Sequence, residues 1–186
     1  ILCTLLMLPL AGMLEKMVKK MIPDNEVIEQ TEELDSRLLG SPSLALERCG
    51  QVLDSMARIA VSAMKDSIGS ITKYDEEIAL RIREAEEKTD HLEDILGTYL
   101  IKLTSTQLGE NESAKATEYM KLIGDYERIA DHAVNILQSS EELVQKDIVF
   151  SAEAQEEFNK ISGAVEDILD LSYLAFKDTD LKAARE

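Results

Sequence analysis

The chain has 186 residues, which is enough for one substantial hydrophobic core or for one core and part of a second. It carries 20 basic and 37 acidic residues, a net charge of −17, and this balance excludes a nucleic-acid partner because phosphate backbones are held by Lys and Arg. Aromatic residues make up only 4% of the chain, there is no Trp, and Gly and Pro number 8 and 3, a composition typical of long helices.

The first residues of the chain are apolar. Residues 1–14 carry no charge, and the chain does not begin with Met. They are too few to cross a bilayer, but they are typical of the last part of a membrane-spanning helix. Lys16, Lys19 and Lys20 follow this run, whereas a signal peptide carries its basic residues before it. We therefore interpret the chain as a fragment in which residues 1–22 are the end of a membrane-proximal helix. An amphipathic core helix ending at Pro23 is the alternative.

Residues 23–44 are predicted to be a connector. Pro23, followed by Asp and Asn, ends the first helical pattern. A second turn is indicated by residues 40–43, Gly-Ser-Pro-Ser, in which Ser41 or Ser43 can cap the next helix.

Beyond residue 44 the apolar residues recur at spacings of three and four, and no stretch alternates with a period of two. The pattern predicts three helices and then a fourth, which Ser151 caps. Short connections between long helices imply antiparallel neighbours, so the predicted fold class is all-α. The four predicted apolar stripes are Cys49, Leu53, Met56, Ala60 and Ala63; Ile78, Ile82, Ala85, Thr89, Leu92, Leu96, Tyr99 and Leu103; Ala116, Met120, Ile123, Ala130, Val134 and Leu137; and Phe158, Ile161, Val165 and Ile168.

Both histidines follow the same local pattern, Glu-x-x-x-Asp-His. Residues four apart lie on one face of a helix, so the two acids of each copy repel each other unless a cation, an Arg or water offsets their charges. Two such pairs on helices that pack together would form a four-carboxylate site for a hard metal ion. The residues are Glu86, Asp90 and His91 in the first copy and Glu127, Asp131 and His132 in the second.

The neighbouring residues leave room for such a site. Ala85 and Thr89 are small where the stripe of the second helix would otherwise carry Leu. Glu127 falls on the apolar stripe of the third helix, where a carboxylate must find a partner or stay at the edge in water. Alternatively, the acids lie on solvated faces or pair with nearby basic residues, namely Arg81, Arg83, Lys88 or Arg128.

Three segments resemble a known family. Residues 125–137, DYERIADHAVNIL, resemble the signature helix of the PhoU domain, with Ala130 where Gly is usual. Residues 84–96, EAEEKTDHLEDIL, are similar to that domain's other acid-pair helix. Residues 34–49 resemble the junction in bacterial sodium/phosphate cotransporter-family proteins, where a PhoU-like region follows the last membrane helix. The resemblance implies an antiparallel three-helix-bundle repeat over residues 45–145 and the first helix of a truncated second repeat over residues 151–186.

The family's properties give expectations for the site. PhoU-like domains bind metal through Glu-x-x-x-Asp motifs and regulate phosphate uptake and signalling rather than acting as enzymes. The resemblance thus implies that Glu86, Asp90, Glu127 and Asp131 bind a divalent or trivalent ion, for which iron, zinc, manganese and magnesium are the candidates. Asn135, one turn beyond Asp131, is added as a ligand. The resemblance does not assign metal binding to His91 or His132.

The resemblance also implies a location and partners. We expect a domain on the cytoplasmic face of the inner (plasma) membrane, coupled to the transmembrane part of the same polypeptide and to a phosphate-signalling partner. Cys3 and Cys49 form no disulfide framework by number or spacing, which indicates a reducing compartment. Residues 1–14 present an apolar surface outside lipid, so we expect the isolated chain to form a homo-oligomer.

Two other functions fit the same pattern. A di-metal carboxylate enzyme of the ferritin-like kind also places acids inside a helical bundle, but such sites contain Glu-x-x-His. Here Lys88 and Ile129 stand three residues before the histidines. A metal-free helical scaffold or signalling bundle needs only apolar stripes and acidic faces. Metal analysis combined with an oxidase assay distinguishes the three functions.

Overall fold

The computed structural model describes residues 34–178. Over these residues the chain forms a short 3-10 helix, Ser36–Gly40, and four α-helices, with no strand. The α-helices are α1 (Pro42–Thr72), α2 (Glu76–Thr104), α3 (Glu110–Gln145) and α4 (Ala152–Asp178). The all-α prediction is thus confirmed. The predictions for residues 1–22, for most of the connector and for residues 179–186 fall outside the described part of the chain. Within that part, no helix is long and apolar enough to cross a membrane.

Side-chain caps explain where α2 and α3 begin. The Asp75 carboxylate accepts hydrogen bonds from the backbone N–H groups of Glu77 and Ile78, at 2.9 and 3.3 Å. At the start of α3, the Gly109 N–H donates to the Glu112 carboxylate at 3.0 Å. Each contact satisfies a backbone N–H that has no partner within its own helix.

The serines predicted as caps behave differently from one another. Ser151 caps α4 as predicted, since its hydroxyl oxygen accepts a hydrogen bond from the Ala154 N–H at 3.2 Å. Ser41 precedes α1 without a capping hydrogen bond from its side chain. Ser43 donates instead to Glu112 at 2.6 Å, which joins the starts of α1 and α3.

Helices α1, α2 and α3 each pack against the other two, and their short connections make neighbours antiparallel. In α3 the prediction of Met120 as a core residue is wrong: Met120 is exposed, and Tyr119 packs into the core beside it. Burying one large aliphatic side chain stabilises the fold by about 1.5–3 kcal/mol. The large side chains with almost no exposure include Leu53, Met56, Ile82, Leu92, Leu96, Leu100, Leu103 and Leu137.

Polar contacts at both ends of α2 hold it in the bundle. At its start, Arg83 donates to both carboxylate oxygens of Glu141 on α3, at 2.8 and 2.9 Å. Near its end, the Tyr99 hydroxyl donates to the backbone carbonyl of Asp35 at 3.1 Å. The second contact ties the segment before α1 to α2, and Leu34 is buried in the same core cluster as Tyr99.

Helix α4 has α1 as its main neighbour and packs through a face that the sequence did not predict. In the predicted stripe only Phe158 packs against the bundle, while Ile161 and Ile168 are 66% and 62% exposed. The packed face carries Leu169, Tyr173 and Phe176 instead. The Tyr173 hydroxyl donates to Asp54 of α1 at 2.9 Å. Because Ile161 and Ile168 lie within about 100° of Leu169 around the helix axis, they form the exposed margin of one broad apolar face.

Candidate metal centre

The two predicted acid pairs face each other across the α2–α3 interface. Electrostatic effects link Glu86 with Asp131, and Glu127 with Asp90. Both links fit the same antiparallel register of α2 against α3. Asp90 lies four residues after Glu86 in α2, and Glu127 lies four residues before Asp131 in α3. We call these four residues, together with Glu93, the acidic seam.

Partial burial and like charges raise the pKa of two seam glutamates. For Glu86 the largest cause is burial, followed by the charges of Asp131 and Asp90. For Glu127 burial is again the largest cause, followed by the charges of Asp131 and Glu93. A raised carboxyl pKa means that the folded protein disfavours the charged form. A cation bound at the seam would oppose both effects.

Glu93 is a seam residue that the sequence interpretation missed. It is half-buried on α2, and its charge contributes to the raised pKa of Glu127. Glu86, Asp90 and Glu93 are spaced at i, i+4 and i+7, so helical periodicity could have identified it. The repeated Glu-x-x-x-Asp motif does not extend to this position.

The donor chemistry of the seam fits a hard metal ion, but its side chains are not gathered around one point. Carboxylate oxygens are the ligands that magnesium and manganese prefer, and iron also binds them. Within residues 34–178, however, no three His, Cys, Asp or Glu side chains lie close enough together to hold an ion. The fold thus places ligands of a suitable type on facing helices without closing a ligand shell.

The remaining predicted ligand, Asn135, is exposed on α3. Its backbone carbonyl accepts a hydrogen bond from the Ser139 hydroxyl at 3.1 Å. This contact lies within α3 and does not connect Asn135 to the acidic seam.

Two of the arginines considered as partners for the acids bind elsewhere. Arg81 lies 3.4 Å from the carboxylate of Asp66, which belongs to α1. Arg83 binds Glu141, nearer the end of α3. Their charges are thus directed at acids outside the seam.

His91 and His132 are both exposed, as are the predicted ligands Asp90 and Asp131. Each follows its Asp by one residue and is turned about 100° from it around the helix axis. We expect the double variant His91→Gln/His132→Gln to keep its metal content within about twofold of the parent, because loss of an outer partner weakens a site without emptying it at high metal concentration. Elemental analysis measures this. Complete loss of metal would show that the histidines are ligands.

The fold and the site together define a class of domain: an antiparallel three-helix bundle with acidic residues facing each other between two of its helices. The family model described as PhoU domain matches residues 53–140, from α1 through most of α3, and this range includes the whole acidic seam. The match supports a PhoU-like domain in this part of the chain. The PhoU family is a regulatory helical family linked to phosphate transport and is not a known enzyme family. No curated protein and no solved structure matches the chain significantly.

Proposed function

We propose that the chain is a cytoplasmic regulatory domain of a sodium/phosphate cotransporter-like membrane protein, and that a divalent or trivalent metal ion binds at its acidic seam. The metal proposal is supported by the coupling of Glu86 and Glu127 to acids of the facing helix. The regulatory role is supported by the PhoU match. The transporter context is supported by the sequence of residues 34–49 and by the apolar residues 1–14.

The proposed ligands come from two helices. Glu86 and Asp90 of α2 and Glu127 and Asp131 of α3 would hold the ion, which would supply positive charge between them. Without the ion, like charges push α2 and α3 apart along the seam. Occupancy would therefore set how rigidly α2 is held against α3.

Contacts made by α2 support a route from the seam to the membrane. Leu34 lines a shallow cleft together with His91 and Tyr99 of α2, and Tyr99 also binds the Asp35 carbonyl. His91 directly follows the proposed ligand Asp90. A displacement of α2 at the seam would therefore reach the connector by direct contact. In this mechanism, occupancy of the seam biases the connector and, through it, the transport helices.

The same site accounts for how such an acidic domain could contact phosphate. With a net charge of −17, the bare protein repels anions. A polyvalent cation at the seam would reverse the local charge and make a phosphate contact favourable. We therefore expect any phosphate contact to depend on the metal.

The proposal is tested by metal analysis of protein purified without chelator, combined with thermal melting. We expect bound metal, and we expect chelator to lower the melting temperature by about 5–10 °C, as for loss of a ligand present at about 100 times its Kd. Adding the metal back should restore the original value. A metal-free scaffold is the second candidate, favoured because residues 34–178 gather no three ligands. In that case the protein holds no metal and chelator leaves the melting temperature unchanged.

A further inference from the structure

The three grooves between α1, α2 and α3 differ in what lies along them. Helix α4 reaches both α1 and α3, since Tyr173 binds Asp54 of α1 and the Phe176 ring lies 5.9 Å from the Tyr126 ring of α3, centroid to centroid. The acidic seam lies between α2 and α3. The third groove, between α1 and α2, is contacted by the 3-10 helix at the end where α1 begins and α2 ends. We call it the α1–α2 groove.

A basic row on α2 faces the α1–α2 groove. Arg81 lies 3.4 Å from the carboxylate of Asp66 on α1, and this ion pair identifies the face of α2 that meets α1. Steps of seven residues along a helix stay within about 20° of one face. From Arg81 they lead to Lys88, Ile95 and Lys102. Three of these four positions are basic in a chain whose net charge is −17, so this row suits an acidic partner segment.

The floor of the α1–α2 groove is apolar. Ile95 of α2 and Ile59 of α1 are both half-buried and pack against the core. Ile59 is level with Lys88, because each lies seven residues from the ion pair that joins the two antiparallel helices. Two exposed acids, Glu84 and Asp94, lie at the outer margin of this side of α2. A segment docked here would therefore place apolar side chains between the helices and acidic ones beside the basic row.

The chain that precedes Leu34 has this pattern. Residues 23–34, PDNEVIEQTEEL, contain five acids and no base. On a helix, Val27, Thr31 and Leu34 lie within about 60° of one another, and Ile28 lies beside them. The four glutamates, Glu26, Glu29, Glu32 and Glu33, lie around the rest of the helix.

Leu34 already lies at the α1–α2 groove. It is buried, and it lines a cleft on α2 together with Ile95. The residues after Leu34 lead to the start of α1, so a chain that does not reverse there arrives from the opposite direction along the groove. Seven helical residues rise about 10 Å, which is also the distance along α2 from Ile95 back to Lys88. Val27 would then lie level with Lys88 and beside Ile59.

We propose that residues 24–33 dock as an amphipathic helix in the α1–α2 groove. The apolar face of the segment covers Ile59 and Ile95, and its glutamates lie beside the basic row. The seam is on the opposite side of α2, since Asp90 is turned about 200° from Lys88. Helix α2 would thus be held by the connector on one side and by the seam on the other. Docking does not require metal, and its part in regulation rests on the function proposed above.

The test measures how fast a cysteine in the connector forms a disulfide with a cysteine in the groove. It uses the full chain in a non-ionic detergent that covers residues 1–14. The variant carries Cys3→Ser, Val27→Cys and Ile59→Cys, and copper phenanthroline is the oxidant. The native Cys49 is buried, and burial raises its pKa to about 12, so it does not react on this timescale. Circular dichroism establishes that each variant keeps its helical content.

The matched control pairs Val27→Cys with Ile101→Cys in the same background. Ile101 lies about 9 Å along α2 from Ile95, so it is about as far from Leu34 as Ile59 is. It is turned about 120° from Ile95 around the helix and is 58% exposed. A connector that is attached but not docked would reach both target positions at similar rates.

We expect the pair with Ile59→Cys to form its disulfide about tenfold faster than the control pair, because docking raises the effective concentration of one thiol at the other. Replacing the four connector glutamates with Gln should slow it to about the control rate. Replacing the same number of glutamates on α4 with Gln should leave it unchanged; these are Glu153, Glu156, Glu157 and Glu166.

Three results would overturn the proposal. They are equal rates for the two cysteine pairs, a rate difference that survives in the connector Gln variant, and a disulfide that joins two chains rather than one. Elemental analysis of the connector Gln variant should give the metal content of the parent. Failure of docking is therefore distinguishable from failure of the proposed metal site.

Discussion

Replacing Glu127 with Gln and Asp131 with Asn is expected to abolish metal retention while leaving the helical bundle intact. The two substitutions keep the shape of the side chains but remove both charges that α3 would contribute to the seam. Glu86 and Asp90 of α2 then remain as the proposed ligands, which is too few to hold an ion firmly. Elemental analysis after gel filtration measures the bound metal, and circular dichroism measures the helical content.

Stability measurements distinguish a metal site from a solvated acidic face. Chelator should lower the melting temperature of the parent but not of the Glu127→Gln/Asp131→Asn variant, which should be at least as stable as the metal-free parent because its seam lacks the repulsion between α2 and α3. If the acids are solvated, chelator will have no effect on the parent, and the substitutions will change the free energy of unfolding by no more than about 1 kcal/mol. That outcome would contradict the proposed metal site, and the proposed regulatory role would then be supported by the PhoU match alone.

The pH dependence of the same variant has a definite sign. The pKa of Glu127 is raised in the folded protein, chiefly by partial burial and by the charge of Asp131. The folded state therefore binds this proton more tightly than the unfolded state, so this group makes the metal-free parent more stable as the pH falls through the folded pKa toward the ordinary value of 4.5. The variant lacks the group. Its stability advantage, measured by urea denaturation, should be present near neutral pH and shrink on acidification.

The proposed regulatory role can be measured with the same variant in cells that make the proposed cotransporter-like membrane protein. We expect sodium-dependent phosphate uptake to lose its response to external phosphate, because the seam could no longer gain or lose its ion. Uptake of radioactive phosphate over a range of concentrations measures this response. Regulation identical to that of the parent would contradict the proposed coupling between the seam and the transport helices.

Replacing Leu92 with Ala is expected to lower the free energy of unfolding by about 2–5 kcal/mol. Leu92 has no exposed surface and lies on α2 between the seam residues Asp90 and Glu93. Its truncation leaves a cavity in the core that the surrounding helices fill only in part. Urea denaturation measures the loss. The matched control is Leu80→Ala on the same helix, where the side chain is 58% exposed and the expected change is within about 0.5 kcal/mol.

The Leu92→Ala variant also distinguishes residues that hold α2 in position from residues that bind the metal directly. No proposed ligand is changed, so the variant should still bind metal, with lower affinity because α2 is held less firmly. Saturating metal should then recover part of the lost stability. A destabilisation below about 1 kcal/mol would contradict the packing of α2 described above.

The sequence by itself determined the helices and the composition of each acid pair. Apolar spacings of three and four, few Gly and Pro residues and a cap such as Ser151 are local properties, and they predicted the all-α fold correctly. Helix geometry alone puts Glu86 beside Asp90 and Glu127 beside Asp131, since a separation of four residues returns to the same face. These features need no knowledge of how the helices pack.

Tertiary structure decided which faces meet. The links from Glu86 to Asp131 and from Glu127 to Glu93 depend on the register of α2 against α3, which the packing of buried side chains sets and no local spacing encodes. In α4, two apolar rows share the same helical period, so periodicity alone could not decide which row packs. The sequence prediction chose the row containing Ile161 and Ile168. The structure packs Phe158, Leu169 and Tyr173 against the bundle and leaves Ile161 and Ile168 exposed, an outcome that depends on where α4 lies against α1.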